Sequence, residues 1–148
     1  LYRSVNGFVN DGYYSLEFGK ANVLATGNDV TIVTYGMGVH WAMNLLKQYP
    51  GNILEIIDLR TLAPLDYTTV FESVKKTGKL LLLHEDSITG GIGAEISARV
   101  AKECFQYLDA PIYRTAALDT PIPFSVNLEK NYMPESRLSN DIKELLAY

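Results

Sequence analysis

The sequence contains one cysteine and no excess of basic residues, and both features exclude whole classes of protein. Cys104 alone excludes a disulfide framework and any metal site built from several cysteines. The 13 Lys and Arg against 17 Asp and Glu give a net charge of −4, and no basic stripe is present to follow a nucleic acid. No apolar run reaches the roughly 20 residues that a membrane-spanning helix needs. The remaining class is a globular domain of 148 residues, with neither a nucleic acid nor a membrane as partner.

The first 29 residues differ in composition from the rest of the chain. They are rich in Gly, Asn and Tyr, and only short pieces alternate between apolar and polar residues. We predict that residues 1–29 form an N-terminal arm or linker from a preceding domain, with at most a short edge strand, and that residues 30–148 form the domain proper. Leu1–Ser4 lacks a methionine and resembles no signal peptide, so we expect the chain to begin inside a longer polypeptide.

From residue 30 onward, strand-like and helix-like segments alternate. Apolar, mostly β-branched or leucine-rich runs predict four strands, over Val30–Tyr35, Ile53–Leu59, Lys79–His84 and Ile112–Leu118. Between and after them we predict four helices, over Met37–Tyr49, Asp66–Lys76 with Asp66 as N-cap, Gly91 to about Tyr107, and Pro134–Leu146. Residues 121–131, with two prolines, are predicted to form a long loop. This order indicates an α/β fold of three layers (α/β/α), with a largely parallel sheet and crossover helices on both faces.

In such sheets, functional residues gather at the carboxyl ends of the strands. Gly36 and Gly38 follow one strand, and Asp58 ends the next, which imitates a dinucleotide-binding fingerprint. Trp41, however, occupies the position of the third glycine, where close packing of helix on strand normally requires a very small residue. We therefore interpret the segment as a sharp turn, and a nucleotide- or flavin-binding module is the alternative.

A second candidate is the segment HEDSITGGIGAE, residues 84–95. Its glycines lie before a predicted helix and could cradle an anion, but no Gly-Lys-Ser/Thr follows. His84, Glu85 and Asp86 are adjacent on a strand end and point in different directions, and no spacing ties His40 to them, which disfavours a metal site. The third segment, IDLRTLAPLD at residues 57–66, shows only a charged strand end before a proline-containing loop. No residue is therefore predicted as catalytic, cofactor-binding or metal-binding.

Taken together and in order, these segments resemble the C-terminal, transketolase-like domain of the beta subunit of 2-oxo acid dehydrogenases. The matching stretches are LYRS, GKANVLATGNDVTIVTYGMGVHWA, IDLRTLAPLD, LLLLHEDSITGGIGAEISARV and ALDTPIPFSVNLEKNYMP. The family includes the decarboxylating components of the pyruvate and branched-chain 2-oxo acid complexes. Transketolase and deoxyxylulose-phosphate synthase are more distant relatives, and the equivalent domain of such an enzyme is a further alternative, which DTPIPFSVNLEK disfavours.

The resemblance implies an oxidoreductase that uses thiamine diphosphate and magnesium, with the cofactor held by segments outside these residues. The fragment alone is then expected to be inactive and to bind neither cofactor nor metal. The implied partners are the alpha subunit or domain, a second beta subunit, and the dihydrolipoyl acyltransferase core. The implied location is the bacterial cytoplasm or the mitochondrial matrix.

The resemblance also suggests two surfaces. The strand-end segment with His84, Glu85, Asp86, Gly90 and Gly91 is predicted to lie at a subunit interface. The acyltransferase core, through its small basic binding domain, is predicted to dock near the chain end, where four acidic groups are candidates: Asp119, Asp141, Glu144 and the carboxylate of Tyr148.

Overall fold

A five-stranded, mostly parallel sheet organises the chain. A computed structural model describes residues 5–148, so the LYRS stretch lies outside the described residues. The strands are β1 (Asn22–Ala25), β2 (Val30–Thr34), β3 (Leu54–Asp58), β4 (Leu80–Ser87) and β5 (Tyr113–Ala117), in the spatial order β1-β3-β2-β4-β5. β1 pairs antiparallel with β3, and every other pairing is parallel. The α/β class and the parallel sheet are confirmed.

Helices cover both faces of the sheet, which completes the three predicted layers. They are α1 (Met37–Leu46), α2 (Tyr67–Thr77), α3 (Ile92–Glu103), α4 (Val126–Tyr132) and α5 (Glu135–Leu146). One apolar core lies between the sheet and α1 with α5, and the other lies between the sheet and α2 with α3. Strand residues alternate between the two cores, as Ile32 and Val33 do, because side chains in a strand point alternately to opposite faces.

Local sequence accounts for several element ends. Asp66 is the N-cap of α2 as predicted, and its carboxylate accepts a hydrogen bond from the Thr69 amide at 3.2 Å. Gly78 ends that helix in the left-handed conformation, with φ of 71°. β1 falls within residues 1–29 as the short edge strand that we expected, whereas the boundary at residues 29 and 30 stays a prediction.

Two predicted elements were wrong. Residues 121–131 were predicted as a loop, but α4 forms over Val126–Tyr132. The prediction missed it because Tyr132 is its only buried residue, so the segment carries no apolar periodicity. The helix predicted to run to Tyr107 ends at Glu103, and a 3₁₀ turn follows over Phe105–Tyr107. Among residues 5–148, no helix combines the length and apolar character needed to cross a bilayer.

Arg137 on α5 links the β5 edge of the sheet to α4. Its guanidinium donates hydrogen bonds to the backbone carbonyls of Ala116, Asn131 and Tyr132. The Leu118 amide donates to the same Tyr132 carbonyl at 3.3 Å. β5 therefore has a side chain bound along an edge that would otherwise expose unpaired backbone groups.

A buried polar cluster lies under α2, near the amino ends of the strands. Glu55 of β3 is 3% exposed, and its carboxylate accepts hydrogen bonds from the Gly27 amide and the Lys76 ammonium. Burial acts to raise the pKa of Glu55, but hydrogen bonds from Lys76, Ser73 and Gly27, with the charge of Lys76, lower it on balance. The carboxylate is therefore held ionised inside the fold.

Candidate functional site

The carboxyl ends of β2 and β4 form the crevice in which an open α/β sheet usually binds its ligands. β2 lies between β3 and β4, and α1 and α3, which follow β2 and β4, pack on opposite faces of the sheet. This arrangement makes the gap between the two strand ends a topological switch point. Both glycine-containing segments singled out in the sequence, 36–38 and 84–91, border it.

The imidazole ring of His84 lies at the buried base of the crevice. Its side chain is 2% exposed, and its ring stacks on that of Tyr35 with 6.2 Å between centroids. The glycines of the following turn pack directly on the ring, since a Cβ added at Gly93 would lie 2.4 Å from Nε2 and one at Gly91 would lie 2.8 Å from Cε1. The two glycines therefore allow the turn to close over the histidine.

The hydrogen bonding of His84 makes it a structural group. Nδ1 lies 3.1 Å from the Asp86 carbonyl, which can only accept, so Nδ1 carries the proton and Nε2 faces Gly93. Burial lowers the pKa of His84 below its usual 6.5; the Asp86 carbonyl and carboxylate act to raise it, and Arg114 to lower it. The ring is therefore neutral at pH 7, and Gly93 of α3 packs beside Nε2.

The five predicted interface residues divide into two groups. His84 and Gly91 are buried and shape the turn, whereas Glu85, Asp86 and Gly90 are not buried. The Asp86 carboxylate accepts a hydrogen bond from the Ser87 amide at 2.8 Å. Only the second group is available to contact another chain.

The Gly36–Gly38 turn is tight because α1 packs closely on β2 at Gly38. In a dinucleotide-binding fingerprint, by contrast, the third glycine allows this close packing. Gly36 has a φ of 59° and provides no side-chain cap for α1. A Cβ on Gly38 would lie 2.1 Å from the Thr34 hydroxyl oxygen and 3.3 Å from the Leu83 carbonyl oxygen, so the close approach of helix to strand occurs at Gly38. Trp41 is buried in the core that α1 and α5 share with the sheet, and it also lines a small pocket between these two helices.

Asp58 does not extend toward the crevice as a ribose-binding acid would. Its carboxylate accepts a hydrogen bond from the Arg60 amide at 3.1 Å, and Arg60 itself has a φ of 57° in the turn that follows β3. The residue is therefore engaged in ordering its own strand end.

Asp119 ties the end of β5 to the turn above His84. Its carboxylate accepts hydrogen bonds from the Thr89 amide at 3.0 Å and from the Thr89 hydroxyl at 2.6 Å. These two bonds lower the pKa of Asp119, and the Arg114 guanidinium adds a hydrogen bond to the Ile88 carbonyl. Asp119 thus stabilises the loop that carries Gly90.

The other three docking candidates lie together along α5 and the start of β5. The Thr115 hydroxyl donates to Asp141 at 2.6 Å, and the Tyr113 hydroxyl donates to Glu144 at 3.2 Å. Burial raises the pKa of Tyr113, as do Glu144 and the nearby charges of Tyr148 and Asp141. Asp119 follows the opposite end of β5, so the structure brings together only three of the four candidates.

Tyr148 lines a groove that the sequence did not reveal. The groove has a volume of about 620 Å³, and its walls include Phe105, which is 76% exposed, Leu108, Asp109 and Pro111. The available signal was Phe105, a large apolar side chain placed directly after the buried Cys104 at a helix end. We call it the Tyr148 groove.

A second groove, the Trp41 groove, opens beside the crevice between α1, the end of β4, α4 and the start of α5. Its volume is about 550 Å³, within the range of ligand pockets. It is lined by four apolar residues (Met37, Trp41, Val126, Met133), four charged residues (Glu85, Glu129, Lys130, Glu135) and Ser136. Sequence analysis singled out only Trp41 and Glu85 among them, because the groove depends on the unpredicted helix α4.

In the part of the chain that the structure describes, no three His, Cys, Asp or Glu side chains converge to hold a metal ion. Two of the groups with acid–base chemistry near the crevice are already engaged, His84 with Asp86 and Asp119 with Thr89.

Known proteins resemble the chain over most of its length. The family described as the transketolase C-terminal domain matches residues 19–137. The chain is 45% identical over 141 residues to the beta subunit of the pyruvate dehydrogenase E1 component of Rickettsia bellii, covering 93% of this chain and 43% of that protein. It is 42% identical over 153 residues to the mitochondrial 2-oxoisovalerate dehydrogenase beta subunit of Dictyostelium discoideum, covering 100% and 40%.

A solved structure shows the same fold. A split-gene transketolase, described as an inactive beta4 tetramer, superposes with a TM-score of 0.75 at 24% identity, over 95% of this chain and 45% of that one. The chain spans less than half the length of each of these relatives.

Proposed function

Since the chain belongs to the family of transketolase C-terminal domains, we propose that it is the C-terminal part of the beta subunit of a thiamine-diphosphate-dependent 2-oxo acid dehydrogenase. The observation that carries the proposal is identity of 42–45% over nearly the whole chain to two beta subunits whose substrates, pyruvate and 2-oxoisovalerate, are both 2-oxo acids. The full enzyme would decarboxylate a 2-oxo acid with thiamine diphosphate and magnesium, and pass the acyl group to a lipoyl group. The family match alone would also suit a sugar-processing relative, which these identities disfavour.

In this proposal the domain serves assembly and docking, and the reaction takes place on other segments. The side chains at the crevice support this division of roles between the domain and the other segments. His84 is neutral and covered, Asp58 orders its own turn, and Asp119 holds the loop at Thr89. None of these groups is left free to transfer a proton to a substrate.

The surface proposed for assembly surrounds the carboxyl edge of the sheet. Besides Glu85, Asp86 and Gly90, the segment that follows β5 exposes large apolar side chains. They are Leu118 (42% exposed), Ile122 (68%), Phe124 (105%), Val126 (65%) and Leu128 (59%). So many apolar side chains in eleven residues are typical of a surface that another chain covers. The proposed partners are the alpha subunit or domain and a second beta subunit.

The surface proposed for docking the acyltransferase core is the Tyr148 groove with its neighbouring acids. Tyr148 is 64% exposed beside Phe105 and Asp109, so an apolar wall and negative charge lie together. Asp141 and Glu144 do not line the groove, and they already accept hydrogen bonds from Thr115 and Tyr113. A small basic domain would gain its main new contacts from the Tyr148 side chain and the Asp109 carboxylate, which both line the groove. Asp119 stays a predicted docking residue, and it would act at a separate place.

Truncation of the chain end tests the docking proposal. In the assembled enzyme, removal of Ala147 and Tyr148 should weaken binding of the acyltransferase's basic domain at least tenfold, about 1.4 kcal/mol, as measured by surface plasmon resonance. Phe105→Ala should weaken it too, because it removes the apolar wall, whereas Glu95→Gln, an exposed carboxylate that does not line the groove, serves as a control. Equal affinities for the intact and truncated enzymes would place docking elsewhere.

Activity of the assembled enzyme tests the larger proposal. Co-expression with the alpha subunit should give 2-oxo acid-dependent reduction of an electron-accepting dye, dependent on thiamine diphosphate and magnesium. Turnover of sugar phosphates in place of 2-oxo acids would support the transketolase alternative. The relatives come from a bacterium and a mitochondrion, and we propose the corresponding location, cytoplasm or matrix, for this protein.

A further inference from the structure

The Trp41 groove combines an apolar floor with a negative rim. The Trp41 ring is 6% exposed and is held between α1 and α5, so its accessible edge is fixed in position. Met37 and Met133 line the groove beside it, and methionine adapts its shape to many apolar partners. The floor is therefore a preformed binding surface that requires no rearrangement of the core.

The rim carries three carboxylates, of Glu85, Glu129 and Glu135, and one ammonium, of Lys130, which together give a net charge of −2. Within residues 5–148 these carboxylates accept no side-chain hydrogen bond and form no ion pair. Asp119 and several other carboxylates of the fold are, by contrast, already bound internally. The charge of the groove is therefore available to a ligand.

The helix that forms one wall is covered by little of its own chain. Tyr132 is the only buried residue of α4, while Val126 is 65% and Leu128 is 59% exposed. A helix of seven residues is marginal without tertiary packing, and α4 is held at its C-terminal end by Arg137. Val126 lines the Trp41 groove, so the groove is continuous with the exposed apolar surface of α4, which a polypeptide segment could cover.

We propose that the Trp41 groove binds a lysine or arginine side chain that an apolar segment of a partner polypeptide presents. The cation would lie in the groove beside Trp41, with the free carboxylates of Glu85, Glu129 and Glu135 around it. The apolar residues that flank the cation would pack on Val126, Met37 and Met133. The charge of the groove selects this occupant, because an acidic or purely apolar segment would leave the three carboxylates desolvated and unpaired. The proposal rests on the proposed function only in taking the partner to be a subunit of the same assembly.

Trp41 is the only tryptophan in the sequence, so its fluorescence reports directly on the groove. The probe is the blocked peptide acetyl-Leu-Arg-Leu-Leu-amide, and its matched control carries citrulline, a neutral isostere, in place of arginine. We expect the arginine peptide to change the Trp41 emission of the 148-residue chain with a midpoint below about 1 mM. The citrulline peptide should bind at least tenfold more weakly. Equal binding of the two peptides, or no emission change with either, would overturn the proposal.

Substitutions test whether the arginine peptide binds in the Trp41 groove. The variant Glu129→Gln/Glu135→Gln should weaken the arginine peptide at least tenfold, whereas Glu17→Gln/Glu95→Gln, which removes two exposed carboxylates that do not line the groove, should bind like the parent chain. Urea unfolding of each variant checks that it folds. Equal loss in both double variants would show a nonspecific charge effect and would count against the groove.

A second measurement separates this proposal from the proposed function. A photoreactive benzoylphenylalanine at Val126 in the co-expressed enzyme should cross-link to a segment of the partner subunit that contains Lys or Arg. Peptide binding without any cross-link to the alpha or second beta subunit would retain the groove and contradict the assembly role. A cross-link without peptide binding would retain assembly and contradict the chemistry proposed for the groove.

Discussion

The ion pair between Lys76 and Glu55 gives the sharpest prediction about the stability of this fold. Glu55 is 3% exposed, so replacement of Lys76 by methionine leaves a buried carboxylate with only neutral partners. Removing one member of a fully buried pair typically costs about 3–5 kcal/mol. The Lys76 side chain is 43% exposed, so water already screens part of the interaction. We therefore expect Lys76→Met to lower the free energy of unfolding by about 1–3 kcal/mol at pH 7.

The change in the free energy of unfolding with pH should have a definite direction, which follows from the pKa of Glu55. The pKa of Glu55 is lowered in the folded protein, so its contribution to stability is present above the unfolded value and is lost as the pH falls through the folded value. Without Lys76, burial dominates and the pKa of Glu55 rises above its unfolded value. The variant then regains relative stability when acid protonates Glu55, so the difference from the parent chain should shrink between neutral and acidic pH.

Urea unfolding followed by Trp41 emission measures both effects. The double variant Glu55→Gln/Lys76→Met is the matched control, because the amide can still accept a hydrogen bond from Gly27 and carries no charge. It should recover at least about 1 kcal/mol relative to Lys76→Met. A loss under about 0.5 kcal/mol in Lys76→Met, or a difference that grows on acidification, would refute the reasoning.

Three further predictions concern the crevice, the sheet edge and the expected lack of a cofactor site. Gly93→Ala should cost about 1–3 kcal/mol in urea unfolding, since its Cβ would meet the buried ring of His84; a neutral result would show that the turn can move away. Arg137→Met should cost about 1–2 kcal/mol and accelerate hydrogen exchange at the Leu118 amide, and unchanged exchange would contradict the edge role. Calorimetry of the 148-residue chain should show no thiamine diphosphate or NAD binding tighter than about 100 μM, and selective shifts of the Gly36 and Gly38 amide signals on NAD titration would revive the nucleotide alternative.

The sequence predicted the sheet well because its central strands, β2 and the first half of β4, are continuous buried runs rich in apolar residues. β2 is buried at every position, and its run from Val30 to Thr34 could form little else. Asp66 was recognisable as an N-cap because capping depends on residues only three positions apart. Features that depend on residues close together in the chain could therefore be predicted from the sequence.

Most of the candidate site could not be predicted from the sequence because it depends on contacts between distant segments of the chain. Thr89 and Asp119 are 30 positions apart, and nothing in either segment shows that they pair. Gly93 allows close packing only against a histidine in another element, so the glycine-rich turn looked like an anion cradle. The Trp41 groove was missed with α4, whose single buried residue leaves no periodic signal.

Arg137 also affects how the domain would behave at high concentration. Open sheet edges invite strand addition and cross-β growth, and β5 has its Ala116 carbonyl already bound by that guanidinium. The opposite edge, β1, has only four residues and an irregular register between Val23 and Ala25, which is a poor template for another strand. Self-association of the separated domain is therefore expected to proceed through side chains such as Phe124 and Phe8, giving amorphous precipitate that mild detergent disperses rather than ordered fibrils.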